Sequence, residues 1–100
     1  METNLHALRR RLPGSPAIAR YTEVARLLTG DISASPEDGA EWVRELCSAL
    51  DIQPLKKYGL NPDDLPAVVK QSQKANSMKG NPVNLTDNEL LTILESALAT

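Results

Sequence analysis

The stretch SPAIARYTEVARLLTG, residues 15–30, has the start signal, the spacing and the stop signal of one amphipathic helix. Ser15 before Pro16 favours a helix start, since serine caps a free amide and proline fits the first helical position. Apolar side chains follow at helical spacing: Ile18, Tyr21, Val24, Ala25 and Leu28. Gly30 is a typical helix stop. Similar helical patterns continue on both sides of this stretch.

Two more helices are predicted next to it. Leu5, Leu8 and Leu12 share one face of a short helix that Pro13-Gly14 ends. A third helix starts at Ser35-Pro36, with Glu37 and Asp38 favourably placed near its positive end. Its predicted inward face is Trp42, Val43, Leu46, Cys47 and Leu50. Gly39 lies inside this helix, where glycine costs about 1 kcal/mol relative to alanine.

The second half of the chain predicts a loop and two helices. Residues 51–61 contain the breakers Pro54 and Gly59 and are interpreted as the loop. The fourth helix opens at Asn61-Pro62, turns Leu65, Val68 and Val69 inward, and fades near Asn76. The sequence TDNE, residues 86–89, matches a capping box, which starts a fifth helix. That helix carries Leu90, Leu91, Ile93, Leu94 and Leu98.

These patterns predict an all-α fold. No segment alternates apolar and polar residues for long enough to indicate a strand. We therefore expect about five helices in a compact orthogonal or bundle-like cluster, without a sheet, and a single helical domain over residues 1–100. Because aromatic residues are only 3% of the chain, the core must be aliphatic.

Composition argues against several classes of function. A formal charge of -2 gives no electrostatic reason to expect nucleic acid or an anionic membrane as a partner. No apolar run approaches the roughly 20 residues of a membrane helix, and the first residues lack the apolar core of a signal peptide. Cys47 is the only cysteine, so an internal disulfide is impossible. These features favour the cytoplasm.

Few residues are candidates for chemistry. His6 is the only histidine, so the chain cannot form a histidine-based metal cluster, and we expect His6 to be an ordinary surface residue. Cys47 lies on an apolar face and is expected to be a buried, inert thiol. Arg9-Arg10-Arg11 has no aromatic neighbours and is interpreted as a solvated face. We predict no catalytic, cofactor-binding or metal-binding residues in this chain, and no cofactor.

The hexapeptide SMKGNP interrupts the helical pattern. Its residues are Ser77, Met78, Lys79, Gly80, Asn81 and Pro82. With one glycine and no preceding strand, it lacks the spacing by which a phosphate-binding loop wraps its ligand. A structural role is favoured, with the Asn81 side chain bonding loop amides ahead of Pro82.

Three stretches together resemble the C-terminal end of the iron-containing (group III) alcohol dehydrogenases. They are SPAIARYTEVARLLTG, WVRELCSALDIQPLKKYGLNPDDLPAVVKQS and ANSMKGNPVNLTDNELLTILESAL. The resemblance implies a parent enzyme with a nucleotide-binding α/β domain followed by a helical metal-binding domain. It also implies metal ligands, an aspartate and histidines, upstream of the matched part; His6 matches none of them. The SMKGNP loop then resembles a remnant wall of the substrate pocket, with Ser77 and Met78 nearest the cavity.

The expected function is that of a stand-alone or truncated relative of this helical region, not catalytic alone. Met1 would fall inside a continuous helical domain of the family, which is consistent with a shortened reading frame or an excised piece. The fifth helix is apolar on more than one side, so it is either a central helix or a partner surface. Expected partners are a second copy or the missing dehydrogenase portion in trans. The alternative is a small helical protein-binding module.

Overall fold

The computed structural model describes residues 1–99, which form five α-helices and no strand. The helices are α1 (Glu2–Arg11), α2 (Pro16–Thr29), α3 (Pro36–Ala49), α4 (Leu65–Lys74) and α5 (Asp87–Ala99). Short 3-10 turns cover Leu55–Tyr58, Pro62–Asp64 and Asn76–Gly80. The predicted all-α class with five helices is confirmed.

The chain divides into two compact units. Unit 1 is Met1–Ile52 and contains α1, α2 and α3, whereas unit 2 is Gln53–Thr100 and contains α4 and α5. Each unit has its own helix packing: α2 packs on α3, and α4 packs on α5. The single domain expected over residues 1–100 stays a prediction.

Local capping determines where α2 begins and ends. The Ser15 hydroxyl accepts a hydrogen bond from the Ala17 amide at 3.2 Å, and Gly30 ends the helix in the left-handed conformation with φ 73°. Both features follow the sequence prediction. Ala25 is completely buried in the middle of α2, while Val24 beside it is partly exposed. The buried stripe of α2 is therefore narrower than the apolar pattern suggests.

The start of α3 is held by two reciprocal hydrogen bonds. The Asp38 amide donates to the Ser35 hydroxyl, and the Ser35 amide donates to the Asp38 carboxylate at 2.9 Å. Asp38 is thus one half of a capping box as well as a favourable charge in the first turn. This direct bond goes beyond the electrostatic role that the sequence predicts.

The sequence predicts more inward-facing side chains at the C-terminal end of α3 than the structure shows. Trp42, Val43 and Cys47 are half-buried, but Leu46 is 41% exposed and Leu50 is 63% exposed. Leu50 is the C-cap residue, one position beyond the last helical residue. The prediction of an inward side chain is therefore wrong for Leu46 and Leu50. The same holds for Leu12, which follows α1 as its C-cap and is 48% exposed.

The two helices of unit 2 are both preceded by hydrogen-bonded caps. Before α4, the Asn61 amide donates to the Asp64 carboxylate at 2.9 Å, which holds the 3-10 turn Pro62–Asp64. Before α5, the Thr86 amide donates to Glu89 at 2.8 Å, and the Glu89 amide donates to the Thr86 hydroxyl at 3.2 Å. The buried apolar residues of this unit are Leu65, Val69, Val83, Leu85, Leu90 and Leu98.

The length and composition of the helices also decide whether any of them is suited to span a membrane. Along residues 1–99, none of the helices combines the length and apolar character that crossing a bilayer requires.

Candidate functional site

The SMKGNP segment, residues 77–82, is called the candidate loop below. Its backbone is more regular than the sequence predicts. Residues 76–80 form a 3-10 turn directly after α4, where Ala75 adopts an extended conformation. The Met78 amide donates to the Ala75 carbonyl at 3.1 Å, and the Asn81 amide donates to the Met78 carbonyl at 3.2 Å. Met78 is half-buried, whereas Ser77, Lys79, Gly80 and Pro82 are exposed. The turn therefore directs one apolar side chain inward and leaves Lys79 in solvent.

Asn81 bonds within its own loop. Its Nδ2 donates to the Val83 carbonyl at 2.7 Å, across Pro82. The sequence predicts bonds from loop amides to this side chain, whereas this bond runs to a carbonyl. It holds the backbone beside Val83, whose side chain is buried in unit 2. Asn81 thus has a local structural contact of the kind that asparagine commonly makes in turns.

Gln73 anchors the far end of the same segment, and the sequence analysis missed it. From the last turns of α4, its Nε2 donates to the Leu85 carbonyl and to the Asp87 carboxylate, each at 3.0 Å. One side chain thereby joins α4 to the start of α5. A glutamine on the polar face of a helix gives no sequence signal for such a role, because the partner carbonyl lies 12 residues away.

A shallow pocket of about 210 Å³ lies beside this anchored segment, entirely within unit 2. Side chains from the end of α4, the 3-10 turn and the loop before α5 surround it: Gln73, Lys74, Met78, Lys79, Asn84 and Leu85. Of the six loop residues named from sequence, Met78 and Lys79 line this pocket. Ser77, predicted to lie nearest the cavity of an intact enzyme, is exposed. Their role as a substrate-pocket wall stays a prediction.

A second cleft, of about 260 Å³, lies in unit 1 between α1 and α3. Two ion pairs join its sides. Arg9 Nη2 lies 2.6 Å from Glu37 Oε1, and Arg44 Nη2 bonds the Glu2 carboxylate. The Glu2 hydrogen bond and charge raise the pKa of the Arg44 guanidinium above its ordinary value. The cleft is therefore charged but internally paired.

His6 lies at the surface, as the sequence predicts, whereas Cys47 is less buried than predicted. His6 is exposed and lines the charged cleft of unit 1. Cys47 is a free, half-buried thiol on α3. Among residues 1–98, whose side chains the structure describes, no three His, Cys, Asp or Glu side chains come together as a group that could hold a metal ion.

One comparison with known proteins identifies the family. The family model described as Fe-containing alcohol dehydrogenase family, C-terminal, matches residues 4–98. The chain belongs to this family. The resemblance drawn from its sequence segments is thereby confirmed. No curated protein and no solved structure matches the chain.

Membership of this family raises the question of iron. When bound, a metal of this kind acts as a Lewis acid that polarises an oxygen of the substrate. Iron needs several oxygen or nitrogen ligands on one site, and the described residues supply no such group. The donor set in residues 1–98 does not fit an iron site, and we derive no catalytic step through one.

Proposed function

We propose that this chain acts as a helical C-terminal part of the iron-containing alcohol dehydrogenase family and works by associating with a separate dehydrogenase polypeptide. In this proposal the partner supplies the nucleotide-binding and metal-binding parts, and the chain alone does not catalyse alcohol oxidation. Support comes from the family match, which is to the C-terminal region, and from the donor groups, which do not assemble into a metal site among residues 1–98.

Exposed apolar side chains in unit 1 are the observation that carries the proposal. Leu27 is 83% exposed and Ile32 is 86% exposed, at the end of α2 and in the loop after it. Leu50 is 63% exposed and Ile52 is 60% exposed, directly after α3. Single exposed apolar residues are ordinary on protein surfaces, but side chains as exposed as these leave apolar area at two places in unit 1, at the end of α2 and after α3, that a partner polypeptide would cover.

A complementation experiment tests this assembly. The chain is mixed with an iron-containing alcohol dehydrogenase from which the corresponding C-terminal helical region has been deleted, and nicotinamide reduction is followed with alcohol as the substrate. We expect activity from the mixture and none from either component alone. Leu27→Asp and Leu50→Asp should each reduce the recovered activity, because a buried unpaired carboxylate opposes association.

Ala19→Asp is the matched control, since Ala19 is also exposed on α2 but its methyl side chain is too small to contribute much contact area. This variant should recover activity like the unmodified chain. Alcohol oxidation by the purified chain alone would contradict the proposal. So would a mixture that stays inactive although the two polypeptides are both folded.

Self-association is the second candidate, and α5 favours it. Leu91 and Leu94 are only half-buried and Ile93 is 38% exposed, so α5 keeps apolar surface open in addition to its buried Leu90 and Leu98. A second copy could cover this surface. Sedimentation equilibrium over a wide concentration range should then show a dimer that Ile93→Asp dissociates, whereas a monomer at the highest concentration would exclude self-association.

The cellular location belongs to the same proposal. The single free thiol of Cys47 is typical of a reducing compartment. We therefore infer a cytoplasmic chain.

A further inference from the structure

Two lysines line the pocket of unit 2 without an acidic partner. Lys74 ends α4 and Lys79 lies in the 3-10 turn that follows, and both side chains border the pocket. In the described part of the chain, neither ammonium group forms an ion pair or a hydrogen bond. The pocket therefore carries two positive charges that its own walls do not neutralise.

Three carboxylates of the same unit bind amide groups instead of these lysines. Asp64 accepts from the Asn61 amide, Asp87 accepts from Gln73, and Glu89 accepts from the Thr86 amide. These acidic side chains hold helix starts and the segment after the pocket. Lys70 also lies one turn before Lys74 on α4, and like charges at this spacing repel each other. An anion in the pocket would relieve this unbalanced positive charge.

The charged cleft of unit 1 differs from the pocket of unit 2 because its cations already have acidic partners. Its Arg9 and Arg44 are already paired with Glu37 and Glu2. A ligand there would have to displace an internal partner. In the pocket of unit 2, an anion would displace only water from Lys74 and Lys79.

Hydrogen bonds within unit 2 hold the backbone around the pocket. Gln73 ties α4 to the Leu85 carbonyl, and Asn81 ties the turn to the Val83 carbonyl. Val83 and Leu85 are both buried, so the backbone that carries Asn84 is held in place. A preformed site avoids part of the entropy that ordering a loop on binding would require.

We propose that this pocket binds a small doubly charged oxyanion, either a phosphoryl group or a dicarboxylate, attached to an apolar body. Lys74 and Lys79 hold the oxyanion, and Asn84 borders it. Met78 and Leu85 provide apolar wall for the rest of the ligand. Lys74 also offsets the partial negative charge at the C-terminus of α4, which would otherwise repel an anion. The proposal does not depend on assembly with a dehydrogenase, because all of these residues lie in unit 2.

The test is a titration of the isotope-labelled full chain followed by NMR. The probes are inorganic phosphate, phenyl phosphate and succinate, each compared with sodium chloride at equal ionic strength. We expect saturable shifts of the Met78, Lys79 and Asn84 amides. Saturation by the phosphates indicates a phosphoryl ligand, and saturation by succinate indicates a dicarboxylate. Phenyl phosphate should bind more tightly than inorganic phosphate, because its ring contacts Met78 and Leu85.

Variants separate a site from general attraction to a lysine-rich surface. Lys74→Gln and Lys79→Gln should each weaken binding at least about fivefold, because the attraction of two unit charges about 4 Å apart in water is worth roughly that factor and a dianion strengthens it. Lys57→Gln, an exposed lysine of the 3-10 turn Leu55–Tyr58, should leave the affinity unchanged. Shifts that grow linearly with every salt would overturn the proposal, as would equal losses from Lys57→Gln and Lys79→Gln. Either failure leaves the proposed assembly untouched.

Discussion

Gly39 of α3 lies so close to Ala25 of α2 that a side chain at position 39 has no room. A Cβ built on Gly39 would lie 2.9 Å from the Ala25 Cβ and 3.0 Å from the Ala25 Cα. Both residues are buried, and Ala25 is 0% exposed. At this point α2 and α3 therefore meet through their smallest side chains, and part of the obstacle is backbone that cannot turn away.

Gly39→Ala should destabilise the chain. In an open helix this substitution would stabilise by about 1 kcal/mol, but overpacking costs about 1–3 kcal/mol. We expect a net loss of up to about 2 kcal/mol in the free energy of unfolding, measured by urea denaturation. Gly80→Ala is the control, because a Cβ at Gly80 meets no atom within 4 Å. A more stable Gly39→Ala variant would show that α2 and α3 do not approach this closely.

Ser35→Ala should remove one half of the capping box of α3. The Ser35 hydroxyl accepts from the Asp38 amide, and that amide has no other side-chain acceptor among the described residues. Loss of an N-cap serine costs about 1 kcal/mol. Ser48→Ala in the last turn of α3 is the matched control, since Ser48 is exposed and only its backbone carbonyl, which the substitution keeps, takes part in the C-cap. Equal stability of the two variants in urea denaturation would contradict the capping role.

Helix boundaries were predictable because short-range chemistry sets them. The hydrogen bonds made at Ser15, at Gly30 and between Thr86 and Glu89 each join groups at most four residues apart, so the local sequence contains the whole signal. Gly39 shows the limit of this reasoning. In sequence it is only a weak helix residue, and its fit against Ala25 depends on which faces of α2 and α3 meet.

The prediction of an inward-facing side chain was wrong at Leu12 and Leu50 for a related reason. Leu12 and Leu50 continue an apolar stripe, but each lies just beyond the end of its helix, where the backbone no longer directs the side chain inward. The candidate loop was placed correctly after α4, whereas Gln73 was missed. Its two partners are brought to it only by the packing of α4 against α5.

The pKa of Asp31 should respond to Ser33. The Ser33 hydroxyl donates to Asp31 Oδ1 at 2.7 Å and the Ser33 amide donates to the same oxygen at 2.9 Å. These bonds lower the pKa of Asp31 below its ordinary value of 3.8, chiefly through the hydroxyl. Ser33→Ala should raise this pKa part of the way back, as measured by NMR titration of the carboxyl carbon. Ser33→Thr, which keeps the hydroxyl, should preserve the lowered value.

The sign of the associated pH dependence follows directly. Because the folded chain favours the charged carboxylate, Asp31 stabilises the fold at pH values above 3.8, its ordinary pKa. This contribution is lost as the pH falls through the lowered pKa of the folded state. Ser33→Ala should therefore reduce the acid-side slope of stability, and an unchanged slope would contradict the assignment to Asp31.

Gln73→Leu should loosen the segment between α4 and α5 while leaving both helices formed. The substitution removes two hydrogen bonds, one to the Leu85 carbonyl and one to Asp87. Each bond is worth about 0.5–1.5 kcal/mol, so we expect a loss of about 1–3 kcal/mol in the free energy of unfolding. Amide hydrogen exchange at Val83 and Leu85 should also accelerate.

Gln71→Leu, at an exposed position two residues earlier on α4, is the control and should leave that exchange unchanged. Equal exchange rates in the two variants would mean that burial of Val83 and Leu85 holds the segment without Gln73.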